Sequence, residues 1–215
     1  MVQKSTKRGR PCAYDADDAL ARARDVFWQV GYAATSLDDI SAATGMGRPS
    51  LYGAFGDKRA LYLAALQHYQ AMAGRDLRAA LAPEQPVREG LRLVYDHSLA
   101  LYFPAGQAAR GCFLIGTAVT EAAADPHVRT ALADGFRALD QAFEKRIRLA
   151  QRTGEVKKTG DPAALAKLAS ATLYFLAIRA RTGETRESLE AMAKSAIDLI
   201  CGPADRGRPA TSTAR

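Results

Sequence analysis

The chain has 215 residues, 48% of them apolar and 25% charged, and carries a net charge of +7. This is ordinary globular composition, long enough for one domain of moderate size or two small ones. No apolar run approaches the 18 residues of a membrane span and no hydrophobic signal segment opens the chain, so we expect a cytoplasmic protein. The positive charge fits a nucleic-acid partner only weakly, because residues 15–60 carry five basic and seven acidic side chains.

The first segment, residues 1–13, is a basic arm. It holds Lys4, Lys7, Arg8 and Arg10 and has no acidic residue, and its glycine and proline discourage regular structure. We expect it to be disordered without a partner. Arg8 and Arg10 then either enter a DNA minor groove or follow phosphates, or the arm is a solvated tail that aids solubility.

Residues 34–66 predict a short helix, a glycine turn and a second short helix. Ser36 followed three residues later by Asp39 is typical of a helix start, so we expect a helix from Leu37. Gly45 can end that helix in the left-handed conformation, and the next helix is expected near Arg48. Two helices joined in this way form a helix-turn-helix, whose second helix normally lies in the major groove of DNA.

The second short helix is predicted to turn one face inward and a nearly bare face outward. Leu51 and Phe55 are four residues apart and are expected to face the core. Arg48 is the leading base reader, because a guanidinium can bond both acceptors of a guanine. Tyr52 and Lys58 are better placed for phosphates, Lys58 at the start of the next long helix. The same pattern also occurs in helical proteins that bind no DNA.

The run from Tyr14 to Leu66 closely resembles the DNA-binding domain of the TetR family of bacterial transcriptional repressors. The matching segments are Phe27 to Tyr32, Thr35 to Ile40, Gly45-Met46, Leu51-Tyr52 with Phe55, and Asp57-Lys58 with Leu61. The resemblance implies phosphate contacts at Thr35 and Ser36 and base contacts at Arg48 and its neighbours Gly47, Pro49 and Ser50. Gly47 and Ala54 depart from the family pattern, which suggests fewer side-chain contacts there.

Beyond Phe55 the pattern stays helical, and we predict an all-α fold with a helical bundle after the helix-turn-helix. The predicted helices span residues 57–80, 87–102, 108–124, 126–152, 162–181 and 186–201. The predicted domains are the arm 1–13, the DNA-binding domain 14–60, an effector-binding and dimerisation domain 61–202, and a disordered tail 203–215 without a binding role.

The long late helices carry apolar stripes, which ordinarily belong to the core of a monomer. The resemblance implies instead that late helices pack into a homodimer, which would place two reading helices on a palindromic operator. It also implies a small-molecule effector whose binding is transmitted through helix 57–80 to release the DNA. Candidate effector residues in the middle helices are Tyr95, His97, Leu101, Cys112, Phe113, Thr117, Phe175 and Arg179.

Cys112 follows Arg110 and Gly111 at a predicted helix start, where a thiolate would be stabilised. It is interpreted either as a sensor of oxidants or electrophiles or as a small buried apolar residue. The three cysteines and three histidines are scattered, so no disulfide framework, metal site or cofactor is predicted.

The sequence shows no catalytic constellation and none of the usual phosphate-cradling or hydrolase motifs, so we do not expect an enzyme. Three classes of function remain as hypotheses: a ligand-responsive DNA-binding repressor, a helical enzyme with an unrecognised active site, and a helical interaction scaffold. The resemblance to the TetR family favours the repressor, and only this hypothesis predicts salt-sensitive binding to a palindromic duplex.

Overall fold

A computed structural model describes residues 15–158 and 160–203, and all regular structure in these residues is helical. The all-α fold predicted from the sequence is therefore confirmed. The basic arm 1–13, with Arg8 and Arg10, and all but the first residue of the predicted tail lie outside the described residues. The chain divides into two compact units, the first ending at His68 and the second beginning at Tyr69.

The first unit contains α1 (Ala16–Val30), α2 (Leu37–Thr44), α3 (Arg48–Phe55) and the beginning of α4 (Lys58–Ala80). Its helices pack around large side chains that are almost fully buried. These are Phe27, Trp28, Ile40, Leu51 and Tyr62. The apolar core holds the two short helices together, although helices of eight residues would be marginal in isolation.

The turn between α2 and α3 has the predicted form. Ser36 and Asp39 make a reciprocal capping box at the start of α2, with the Ser36 amide donating to the Asp39 carboxylate over 2.8 Å. Gly45 ends α2 with φ of 71°, a left-handed conformation that glycine adopts without steric cost. The Ser41 hydroxyl donates to the Met46 carbonyl and closes the turn. Local sequence thus accounts for both ends of α2 and for the turn that follows it.

The second unit is a helical bundle. It contains the rest of α4, α5 (Val87–Tyr102), a π-helical turn (Leu114–Ala118) that continues into α6 (Val119–Glu121), α7 (Pro126–Thr153), α8 (Pro162–Arg181) and α9 (Arg186–Cys201). Helix α8 packs against α5, α7 and α9, and α5 also packs against α9. Side-chain caps from Asp125, Asp161 and Thr185 begin the last three helices.

One predicted helix is wrong in extent. Residues 108–124 were expected to be helical throughout, but helix begins only near Phe113. Gly111 has φ of 63°, and a Cβ at this position would lie 2.4 Å from the Ala177 carbonyl oxygen of α8. This close approach to α8 holds the preceding loop in a non-helical course. Sequence periodicity does not report such a contact between distant segments.

Among the described helices, only α8 has the length and the apolar composition that a membrane-spanning helix needs. Helices of this length and composition also occur in the cores of soluble proteins. In this structure α8 buries Ala169, Leu176 and Ala180 within the bundle. Its apolar character is therefore used at least partly for packing.

Candidate nucleic-acid interface

The outer face of α3 is exposed as predicted from the sequence. Leu51 is buried against the core of the first unit, whereas Tyr52 next to it is 52% exposed. The residues predicted to approach DNA from this helix are all exposed, namely Gly47, Arg48, Pro49, Ser50 and Tyr52. A positively charged side chain at the first position of the helix thus stands beside small residues and one tyrosine.

Arg48 does not extend freely into solvent. Its Nε donates to Oδ1 of Asp38 over 2.7 Å, and its Nη2 donates to Oδ2 of the same carboxylate. The hydrogen bond from Arg48 lowers the pKa of Asp38 and raises the pKa of the guanidinium, so the pair stays ionised over the physiological range. Asp38 belongs to α2, and sequence analysis did not identify it as a site residue. One indication of the pairing was present in the sequence: Asp38 and Arg48 carry opposite charges and lie ten positions apart, on either side of the turn.

Lys58 begins α4 and is held by groups of the preceding segment. Its Nζ lies 4.6 Å from the centroid of the Tyr32 ring and 3.4 Å from the Ala33 carbonyl oxygen. The Asp57 carboxylate caps the same helix start by accepting the amide of Ala60 over 2.8 Å. A cation at a capped helix start is well placed to contact a phosphate.

The two hydroxyl residues that the family resemblance assigned to phosphates differ in exposure. Ser36 is exposed, with its hydroxyl engaged in the capping box of α2. Thr35 is only 2% exposed, and its hydroxyl donates to the Gly31 carbonyl over 2.7 Å. The Thr35 side chain therefore stabilises the segment before α2 and presents no exposed hydroxyl. Ser36 remains accessible at the helix start.

Two glycines near the outer face of α3 are not required by the fold. Gly47 caps α3 with φ of −66°, and a Cβ there would meet only the Pro49 ring, at 3.8 Å. A Cβ at Gly53, inside α3, would meet no other heavy atom of the described residues within 4 Å, apart from its chain neighbours and the nearby backbone of α3 itself. Neither glycine has positive φ. The first unit would thus accommodate side chains at both positions.

The predicted effector residues are not brought together into one site. His97, Phe175 and Arg179 are exposed, and Arg179 pairs with Glu184 over 2.5 Å while its guanidinium lies over the Phe175 ring. Leu101 is half-buried, and Tyr95 is buried with its hydroxyl donating to the Ala169 carbonyl. Arg179 therefore points outward, whereas binding of an anionic effector would require it to point inward.

Cys112, Phe113 and Thr117 are buried together with aromatic residues that sequence analysis did not single out. The Tyr69 hydroxyl lies 3.5 Å from Sγ of Cys112, and its ring is edge-on to Phe113 with centroids 5.6 Å apart. The Tyr102 side chain also lies within hydrogen-bonding reach of the Cys112 thiol. We name Tyr69, Tyr102, Cys112 and Phe113 the tyrosine–cysteine cluster. Sequence placed these residues on helices but gave no sign of which faces meet.

Of the two interpretations of Cys112, the structure favours a small buried apolar residue over a reactive thiolate. Burial raises the pKa of its thiol, and hydrogen bonds from Tyr69 and backbone amides offset this only in part. The predicted thiolate beside a cation is therefore absent from the described structure, where Cys112 is a buried neutral thiol. Burial likewise raises the pKa of Tyr69 and Tyr102 well above the usual value, so the whole cluster is uncharged at neutral pH.

The two short helices, the Gly45 turn and the exposed face of α3 define a protein of the helix-turn-helix class. A family model described as bacterial regulatory proteins, tetR family, matches residues 19–65. A second, described as the tetracyclin repressor-like C-terminal domain, matches residues 88–196. The chain belongs to the TetR family of bacterial transcriptional regulators.

Similar proteins extend over nearly the whole chain. The HTH-type transcriptional repressor ComR of Escherichia coli strain K12 is 31% identical over 92% of this chain and 93% of ComR. A solved structure of the TetR family transcriptional regulator CifR, a cysteine mutant complexed with 26-bp double-strand operator DNA, is 34% identical. It covers 88% of this chain and 98% of CifR with a TM-score of 0.74. The reduced form of E. coli NemR has a TM-score of 0.77 at 19% identity over 88% and 97% of the chains, which supports the fold alone.

Proposed function

We propose that this regulator binds a palindromic DNA operator as a homodimer, with α3 in the major groove, and represses transcription until a small molecule releases it. The observation that carries the proposal is the exposed α3 face, with Arg48 at its start, in a chain 34% identical to a regulator solved with operator DNA. Repression is supported by the similarity to ComR, which is named a repressor.

Different residues of the first unit would make different contacts. Arg48 would read a guanine, and Gly47, Pro49 and Ser50 would lie against neighbouring base edges. Tyr52, Lys58 and Ser36 would contact phosphates, as would Arg8 and Arg10 of the basic arm. Thr35 is left out of this set because its hydroxyl is already bonded to Gly31 in a buried position. We retain residues 14–60 as the proposed DNA-binding domain and 61–202 as the effector-binding and dimerisation domain.

An exposed apolar surface on the late helices supports the proposed homodimer. On α8, Leu168, Phe175 and Ile178 are between 38% and 47% exposed and recur at intervals of seven and three residues. Leu199 of α9 is 72% exposed. Apolar side chains at helical spacing on the outside of a bundle are typical of a protein interface. We call Leu168, Phe175, Ile178 and Leu199 the late-helix patch.

The interior of the second unit is the proposed location of the effector. In the second unit, the ring of Tyr174 is tilted against that of Phe136, with ring centroids 4.8 Å apart. The Tyr174 hydroxyl is buried and has no hydrogen-bond partner among the described residues. Such a group costs free energy unless a bound molecule or water satisfies it. A small aromatic or apolar effector with one polar group would suit these surroundings.

Thiol sensing at Cys112 is the alternative mode of release. The contact between Tyr69 and Sγ places the thiol inside the second unit, where a covalent modification would disturb packing. The raised pKa of the thiol weighs against rapid reaction with oxidants or electrophiles. Binding of a neutral small molecule is therefore the favoured mode.

The test begins by recovering, from a pool of random duplexes, those that the purified protein retains. Fluorescence anisotropy on the recovered duplex should then show binding that weakens steeply with salt. Arg48→Ala should lose affinity at particular base pairs, whereas Lys58→Ala should weaken binding to all duplexes and reduce the salt dependence by about one counterion. Lys157→Ala, which removes an exposed lysine of the second unit, is the matched control. Recovery of no duplex would refute the proposed function.

A further inference from the structure

The paired side chains of Asp38 and Arg48 join the starts of the two short helices on the face proposed to meet DNA. Nε and Nη2 of Arg48 both donate to the Asp38 carboxylate, so the guanidinium is held in one plane and one direction. We propose that Asp38 is a positioning residue, which orients Arg48 to recognise one guanine and thereby contributes to operator specificity. The inference rests on the proposed DNA binding.

The hydrogen-bond donors of the guanidinium allow both contacts at once. An arginine carries five N–H groups, and the pairing with Asp38 uses one on Nε and one on Nη2. The end of the guanidinium remote from the side chain still offers one N–H on each Nη atom. Two parallel donors of this kind match N7 and O6 of guanine in the major groove. Asp38 would therefore support the reading geometry without competing for it.

The pair contributes little to folding, which favours a role in recognition. The side chains of Arg48 and Asp38 are 55% and 70% exposed, and ion pairs at such exposure add little to stability because water screens them. The neighbouring Asp39 already serves the capping box of α2, so the two adjacent acids have different roles. Holding a long side chain in advance reduces the conformational entropy lost when DNA binds.

The pairing also matters for electrostatics. A lone carboxylate on a surface that approaches phosphates would repel them, whereas Asp38 is neutralised by Arg48. Removing Arg48 alone would leave an uncompensated negative charge near the DNA. The two substitutions should therefore be strongly non-additive, with the double variant binding no worse than Arg48→Ala.

The experiment uses the full-length protein and the duplex recovered with the wild type. Anisotropy titrations compare this duplex with versions carrying each single base-pair change, for wild type, Arg48→Ala, Asp38→Ala, Asp38→Asn and the double alanine variant. Asp18→Ala is the matched control, since Asp18 is another exposed acid of the first unit that is paired with an arginine, Arg22. Thermal unfolding verifies that each variant is folded. If Asp38→Ala does not fold, the isosteric Asp38→Asn variant takes its place in the comparison.

We expect Asp38→Ala to reduce discrimination at the same base pair as Arg48→Ala, by roughly tenfold, and Asp38→Asn to reduce it less. Asp18→Ala should leave base preference unchanged. Tighter binding of Asp38→Ala to every duplex with unaltered preference would show that Asp38 merely masks Arg48, and would overturn the inference. Unchanged preference in Arg48→Ala would overturn it as well. Failure of the wild type to select any duplex would instead refute the proposed function.

Discussion

At the residue scale, Gly53 stands where glycine is an unfavourable choice. It lies inside α3 with ordinary negative φ, and the open space at its Cβ position shows no packing reason for its small size. Glycine in a helix interior costs about 1 kcal/mol relative to alanine. It is exposed on the outer side of α3 together with Arg48, Pro49 and Tyr52, which lie five, four and one positions before it along the helix. Close approach of DNA would explain its presence.

Gly53→Ala is therefore expected to have opposite effects on stability and on binding. The thermal midpoint should rise, corresponding to up to about 1 kcal/mol, because alanine favours the helix. Operator affinity should fall several-fold, because the new methyl group occupies space at the groove. Gly74→Ala in α4, where a Cβ would meet only the flexible end of Arg78, is the control and should not weaken binding. Unchanged or improved affinity of Gly53→Ala would contradict the close approach.

Cys112 gives a second prediction, concerning reactivity. In a Cys12→Ser, Cys201→Ser background, labelling of the folded protein by a thiol reagent at pH 7.5 should be at least about tenfold slower than in denaturant, because the thiol is buried and its pKa is raised. The rate should increase as the pH rises. Labelling as fast as that of a free thiol would favour thiol sensing over binding of a neutral effector.

Some site residues were predictable from sequence and others were not, for a physical reason. The exposure of Arg48 and the burial of Leu51 follow from helical periodicity, a local property. The pairing of Arg48 with Asp38 depends on the angle between α2 and α3, which periodicity does not specify. The burial of Thr35 similarly depends on its bond to Gly31. The family resemblance assigned a phosphate contact to Thr35 because a resemblance in sequence does not show this hydrogen bond.

At the element scale, helix boundaries were predicted well where capping residues determine them. The predicted helices 162–181 and 186–201 agree with α8 and α9, each of which begins after a side-chain cap, Asp161 or Thr185. The predicted helix 108–124 failed because Gly111 adopts positive φ against the backbone of α8. Caps are encoded within a few residues, whereas a close approach of two distant segments is not.

The end of α7 provides an electrostatic prediction. Arg146 is buried, and its Nη2 donates to Glu155, which also accepts the Val87 amide over 2.7 Å. Burial alone would raise the pKa of Glu155, but these hydrogen bonds outweigh it and the net pKa is lowered. The resulting stabilisation is present above the ordinary pKa of a glutamate, near 4.5, and is lost as pH falls through the lower folded value.

Glu155→Gln should therefore destabilise the protein at pH 7 by about 1–3 kcal/mol, because Arg146 loses its charged partner. The difference from wild type should shrink progressively as the pH falls below 4.5 and through the lower pKa of the folded protein, where the wild-type carboxyl becomes protonated. Thermal unfolding measured from pH 7 to pH 3 tests this. Glu187→Gln, at an exposed position in the first turn of α9, is the control. A difference independent of pH would show that the charge of Glu155 is not what stabilises the segment.

At the scale of the whole molecule, the late-helix patch determines the expected oligomeric state. Ile178→Glu introduces a charge into the proposed interface and should convert the dimer to monomer, as measured by sedimentation velocity. Operator affinity should fall by at least about a hundredfold, because two linked heads bind far more tightly than one. Ala100→Glu, at an exposed position of α5, should leave both properties unchanged. A dimeric Ile178→Glu variant would place the interface elsewhere.

The bridge between α2 and α3 also has an evolutionary consequence. If a descendant replaced Arg48 with a neutral residue, Asp38 would face DNA as an unbalanced anion, and the first mutational step toward a new operator would be penalised. Operator divergence among close homologues should therefore proceed through joint replacement at positions 38 and 48. An alignment of orthologues in which the two positions vary independently would contradict this coupling.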